Sequence, residues 1–332
     1  VIKWILVLAV LVAYPHFVPP FWVVNIAAYG LVLGIITLSL TFLAAYGGMV
    51  SLAQMSVAGI AGYALAIASP HAANAGAIIY PWPLTLALAI VLGTLAGLLV
   101  GMIAIRTQGI SLLMLTLALG MVFFYLTQQN TSVFHGFDGF RGVSVPLIGG
   151  KSLREPITFY YLCLGAGTLL YLAVIYLVKT PFGLSLQGIR DNPRRMAALG
   201  YWVPLHQVAA FGVAGFIASI GGVLSLWYHT GISPGSIGMT AMVNILIIAV
   251  IGGMRHPQGA LWGALIFVLI QNFAVDLFSR DRFNSLIGLT FLTIVLCSPD
   301  GLVGLYEKGK RYLKRTRERS SRTGKDSLTP GP

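Results

Sequence analysis

The stretch Leu84-Thr-Leu-Ala-Leu-Ala-Ile-Val-Leu-Gly93-Thr-Leu-Ala-Gly97-Leu-Leu-Val-Gly101-Met-Ile-Ala-Ile105 runs for twenty-two residues without a charge. Crossing a bilayer as a helix takes about 20 mostly apolar residues. In lipid every backbone N–H and C=O must be satisfied inside the protein, which leaves helices or a closed barrel. A barrel strand alternates apolar and polar residues over about ten positions. Leu84–Ile105 shows no such alternation, so it reads as a membrane helix.

The same texture continues on both sides. Hydrophobic residues make up 57% of the 332-residue chain and charged residues 9%, with a mean hydropathy of +0.85. Soluble domains carry about 25% charged residues, so this chain lacks the polar surface a soluble fold of its size needs. Ten membrane segments are expected, at 2–18, 21–45, 49–69, 81–104, 110–127, 157–178, 205–228, 240–253, 257–276 and 284–298. The third, eighth and tenth are short or glycine-rich and read as broken or re-entrant. The first segment lacks a small-residue cleavage pattern and reads as a retained helix. The fold class is thus all-α, a polytopic transmembrane helical bundle. It divides into a membrane domain, 1–306, and a basic, disordered tail, 307–332.

Charge then gives an orientation. With ten crossings, sixteen of the 21 Lys and Arg residues fall on one side and five on the other. An excess of Lys and Arg marks the cytoplasmic side, so both termini are expected inside. The net charge of +12 follows from topology. A polybasic tail beside anionic headgroups accounts for Lys308 to Lys325 without nucleic acid.

The chemistry of an enzyme is missing. Gly304-Leu-Tyr-Glu-Lys-Gly309-Lys310 starts like a phosphate-binding loop. Arg311 stands where Ser or Thr must hold magnesium, and no strand precedes it. No Gly-x-Ser-x-Gly elbow and no metal-ligand spacing occur. Cys163 and Cys297 fall in predicted spans and read as buried packing. Polar residues inside spans are few, and such groups face a bundle interior or an aqueous path. Ser51, Gln54, Asn244, Gln271 and Asn272 are therefore the candidate pathway residues, with interhelical hydrogen bonding as the plainer alternative. Almost no carboxylate lies deep in a span, which argues against ion coupling. Gly93, Gly97 and Gly101 repeat every fourth residue, as do Gly259 and Gly263. That spacing suits close helix packing, within the bundle or at a subunit interface.

The loop at 179–204 is the most informative segment. Asn192-Pro193 suits a helix start, Arg194–Leu199 a short helix, and Gly200 its stop. Its run Thr180-Pro-Phe182-Gly183 … Ile189-Arg190-Asp191-Asn192 … Ala197-Ala198-Leu-Gly200 resembles the cytoplasmic coupling segment of ABC importer permeases of the branched-chain amino-acid family. Leu184, Gly188 and Asp191 replace that family's Arg, Ala and Glu. Four further segments agree in order: Tyr46–Tyr63, with Gln54 where His is usual; Arg106–Ala118; Gly252–Ala264; and Ser298–Gly304. The resemblance covers about residues 25 to 306.

The resemblance implies a permease subunit with no bound cofactor, working beside a homologous permease subunit in a bacterial cytoplasmic membrane. Two cytoplasmic ABC ATPases would hold ATP and magnesium, and an external binding protein would deliver branched-chain or other hydrophobic amino acids. Arg190, Asp191, Asn192, Ala197, Ala198 and Gly200 would couple to the ATPase. The alternatives are a urea or short-amide permease of the same kind, or a stand-alone secondary transporter or channel.

Overall fold

The computed structural model describes residues 2–69, 81–148, 151–153 and 155–277, with isolated positions 288, 292, 301 and 304. The tenth predicted segment, apart from positions 288 and 292, lies outside these residues, as do Cys297 and the basic tail. The described chain is helical almost throughout. In order it forms α1 (Ile2–Phe17), α2 (Trp22–Gly47), α3 (Gln54–Ala68), α4 (Trp82–Ala104), α5 (Ile110–Gln129), α6 (Thr131–Phe134) and α7 (Pro156–Lys179). There follow α8 (Pro181–Asp191), α9 (Pro193–Ala198), α10 (Val203–His229), α11 (Met239–Gly252) and α12 (Pro257–Leu277). The nine predicted segments that fall on described residues each coincide with one of these helices to within a few residues.

By length and apolarity, six of these stretches suffice to cross a membrane: α2, α4, α5, α7, α10 and α11 with the 3-10 turn Pro234–Ile237 before it. An all-α membrane protein fits, and among the described residues six such stretches are found, where about ten segments were expected along the whole chain. The 23 residues of α4 rise about 35 Å at about 1.5 Å per residue, more than a hydrocarbon core of about 30 Å. The 15 residues of α3 reach only about 22 Å, in line with its reading as a short segment.

At the centre stand α2 and α10. The first packs on α7, α10, α11 and α12, the second on α2, α3 and α4. Helices gain little from hydrophobicity inside lipid, so close backbone approach has to hold them together. Glycine supplies it here. A Cβ added at Gly97 would lie 2.8 Å from Gly215 Cα and 2.9 Å from Phe211 O, both on α10. One at Gly101 would lie 2.6 Å from Phe211 Cβ, and one at Gly93 would strike Ser219. On the other flank Gly259 faces the Gly252 carbonyl, Gly263 faces Ile248 and Gly252, and Gly30 seats Leu265. These glycine stripes, weighed above as a subunit interface, are thus occupied within the chain. α4 and α5 instead turn large apolar side chains outward, among them Leu99, Met114 and Val122.

Two features escaped the sequence. First, α2 is π-helical at both ends, Trp22–Ala28 and Leu43–Gly47. Second, two-residue strands stitch the loops at one end of the bundle. Phe140–Arg141 pairs antiparallel with Gly231–Ile232, and Leu147–Ile148 with Lys151–Ser152. The first ladder ties the long 128–156 loop to the end of α10. Beside it the buried Tyr63 ring meets Phe134 at 5.4 Å and Phe123 and Phe140 at 6.1 Å.

Candidate functional site

The opposite end of the bundle carries α8 and α9, between α7 and α10. Thr180 starts α8. Its hydroxyl accepts from the Gly183 N–H at 3.4 Å and donates to the Leu177 carbonyl at 2.6 Å, and Pro181 follows at the first helical position. One face of α8 is buried, with Leu186 and Ile189 fully enclosed, and Leu186 reaches Gly47 at the end of α2. Gly188 packs beside α9: a Cβ there would lie 2.8 Å from Met196 Sδ, the far end of a flexible side chain that can give way. Leu184, one of the three departures, is exposed.

Asn192 ends α8 and begins α9. Its side-chain oxygen accepts from the Arg195 N–H at 3.0 Å, and Pro193 takes the first position. Gly200, at φ +90°, stops the helix, a left-handed conformation that glycine adopts without a Cβ penalty. There the Gly200 N–H donates to Ala197 O at 3.0 Å and the Tyr201 N–H to Met196 O at 3.1 Å. No residue of α9 is buried; Ala197, Ala198 and Leu199 lie open, flanked by Arg194 and Arg195. Leu199 and Trp202 are 65% and 69% exposed. The result is a small rigid knob, apolar at its tip and basic at its sides, fixed to the bundle through α8. Replacing Asn192 by Ala removes the cap and is expected to cost about 1 kcal/mol of local stability. Faster amide exchange confined to 193–199, with the spans unchanged, is the outcome to measure.

Arg190 sits differently from an outward contact. Its Nη1 donates to the carbonyl of Ala45, in the last turn of α2, while Nε and Nη2 grip Asp191 at 3.0 and 2.9 Å. Arg255, in the turn between α11 and α12, joins Arg190, Ala44 and Ala45 around a cavity of about 450 Å³. Sequence reasoning passed over Arg255 because nothing in the chain order places it beside residue 190.

The candidate pathway residues separate into two levels. Ser51 and Gln54 lie in and after the break between α2 and α3, both fully buried. Gln54 Oε1 accepts from the Ser39 hydroxyl at 3.3 Å, and the neighbouring Leu52 N–H donates to Thr116 Oγ1 at 3.1 Å. Ser51 Oγ, Gln54 Nε2, Thr37 Oγ1 and Ser56 Oγ have no partner among the described residues. Buried hydroxyls at 37, 39, 56 and 116 thus extend the polar seam. They carried no sequence signal, since Ser and Thr are common in membrane helices, where they can bond back to their own turn as Ser39 and Thr116 do. Gln271 and Asn272 belong elsewhere. α12 meets α2 with Leu261 at Gly34 and Leu265 at Gly30, and Phe273 at Trp22, so Gln271 lies near the far end of α2. That is about 20 Å from Ser39 at about 1.5 Å per residue. Asn272 bonds its own helix at Val268 O, 2.9 Å, and Asn244 is half-buried on α11. Beyond the seam a cleft of about 20 Å³, lined by Met55, Gly59, Gly222, Ser225, His229 and Ser236, continues between α3 and α10. It has room for about one water.

In sequence, the chain is similar to several membrane permeases. A probable branched-chain amino acid transport permease protein, LivH, of Methanocaldococcus jannaschii is 28% identical over 184 residues, 52% of this chain and 56% of that protein. The high-affinity branched-chain amino acid transport system permease protein LivM of Salmonella typhimurium is 25% identical over 231 residues, 63% of this chain and 54% of that protein. The guanosine ABC transporter permease protein NupQ of Bacillus subtilis is 25% identical over 211 residues, 59% of this chain and 63% of that protein. The matches therefore span little more than half the length of these curated relatives. No solved structure matches. The family model described as branched-chain amino acid transport system, permease component, matches residues 22–296, the whole helical bundle from α2 onward, and the chain belongs to that family.

Proposed function

We propose that this chain is the membrane-spanning permease subunit of an ATP-driven importer and that α9 is the seat of its ATPase. The observation that carries the reading is the exposed knob Arg194–Gly200, held rigid by its own caps and rooted through α8 on the end of the central helix. A soluble motor can transmit its closure to the bundle only through such a rigid element. On this reading α8 and α9 face the cytoplasm of a bacterial cell, with both termini on that side. ATP and magnesium sit on the ATPase subunits. A homologous permease subunit completes the route, and an external binding protein delivers the substrate.

Branched-chain amino acids are the substrate class that the family supports. A nucleoside is the second reading, favoured by the likeness to NupQ and by the seam itself. Its side chains are neutral amides and hydroxyls, Thr37, Ser39, Ser51, Gln54, Ser56 and Thr116, with no ionised group to pair with an amino acid's charges.

The test is uptake by the reconstituted complex of leucine against guanosine. Leucine uptake with no guanosine uptake supports the first reading, and the reverse supports the second. In the same assay Gln54→Leu separates a route from mere packing. The substitution removes an amide whose Nε2 has no partner among the described residues, and the Ser39 hydroxyl keeps its 2.6 Å bond to the Ile36 carbonyl, so no buried donor is orphaned. We expect thermal stability equal to or above that of the parent, with uptake reduced severalfold. Unchanged uptake would assign Gln54 to interhelical bonding alone.

A further inference from the structure

We infer that Arg190 is an internal strut, a positioning residue that carries movement of α8 and α9 into the end of α2, rather than a contact to the ATPase. The inference rests on the reading of α9 as the ATPase seat.

Three observations converge on it. The last carbonyls of a helix have no partner in the helix, and the partial negative charge there favours a cation. Arg190 meets this need at Ala45, inside the π-helical turn Leu43–Gly47, where the regular hydrogen-bond ladder of α2 has already been displaced. Next, its stem lies over Gly48, which ends α2 at φ +67°. A Cβ at 48 would come within 2.6 Å of Arg190 Cγ, so that glycine provides the passage for the arginine. Finally, one oxygen of Asp191, Oδ1, accepts from Nε at 3.0 Å and pairs with Nη2 at 2.9 Å, which leaves Nη1 directed at α2. The arginine side chain is 37% exposed, against 68% for Asp191. One planar group thus joins the loop helix to the most enclosed helix of the bundle, and π-helical turns are common where helices do functional work. Lysine cannot copy it, since an ammonium lacks the rigid fork that serves both partners.

The test uses the full complex with its second permease subunit, ATPases and binding protein, in vesicles. For Arg190→Gln we expect the ATPase to co-purify and hydrolyse ATP as with the parent, while uptake falls by about tenfold, within the range for coupling through packed elements. Gly48→Ala, which displaces the arginine without touching it, is expected to give the same split. Arg190→Lys is expected to recover uptake only in part. If Arg190→Gln does not purify as a monodisperse protein, the other two variants decide by the same split. Loss of ATPase co-purification in step with uptake would overturn the strut, and so would full uptake in Arg190→Gln. Ala198→Glu tests the underlying reading separately. If that variant still binds the ATPase normally, the seat on α9 is wrong, whatever Arg190 does.

Discussion

Ala198→Glu is expected to strip the ATPase from the complex while leaving the membrane bundle folded. Ala198 is on α9, none of whose residues is buried, so nothing inside the chain resists the longer side chain. The knob's tip is small and apolar, and Arg194 and Arg195 give its flanks a positive field. A glutamate at 198 adds bulk and charge to a small apolar tip, and pairing with Arg194 or Arg195, four and three residues away on the helix, cancels part of the positive flank. Desolvating a charge at an interface costs several kcal/mol even when it is paired, and every 1.4 kcal/mol is about tenfold in affinity. Co-purification of the ATPase should therefore fall by about a hundredfold, with an unchanged melting temperature of the permease chain. Ala198→Ser, which adds little volume and no charge, should retain binding.

Gly97→Leu should have the largest effect on the fold. The added side chain would have to occupy space already held by the Gly215 backbone and the Phe211 carbonyl, at 2.8 and 2.9 Å. Backbone cannot swing aside as a side chain can, so α4 must leave α10. Overpacking of a core costs about 1–3 kcal/mol when side chains can adjust, and here the loss should exceed that range. The expected outcome is a collapse in monodisperse yield from detergent. Gly165→Leu on α7 is the control, because a Cβ there meets nothing within 4 Å. It should purify like the parent. Equal yields from the two variants would remove glycine-mediated contact from the account of the bundle.

Most of the bundle was legible because long apolar runs leave a chain in lipid few choices. The glycine stripes were legible as packing surfaces, but not as to their partner. Spacing alone cannot say whether Gly97 meets another subunit or Gly215 of its own chain. In the loop, the stops at Asn192-Pro193 and Gly200 could be read, since each relies on a local preference of that residue type. α8 was missed although Thr180-Pro181 begins it, because Gly183, Ser185 and Gly188 weaken helical propensity. The π-helical ends of α2 come from tertiary packing and have no sequence mark. The inward turn of Arg190 was hidden for a related reason: it needs Gly48, 142 residues earlier, in a left-handed conformation. The polar residues were found as a set but not sorted, as the level of Gln54 or Gln271 in the bundle depends on which helices cross and where.

The central claim is that this chain moves solute only when a separate ATPase, seated on α9, drives it. Uptake into vesicles containing the permease subunits and binding protein, measured with and without ATPase and ATP, tests that most directly. The account predicts accumulation against a gradient only when both are present, and none when Ala198→Glu replaces the parent chain. Accumulation without the ATPase, driven by an ion gradient, would contradict it.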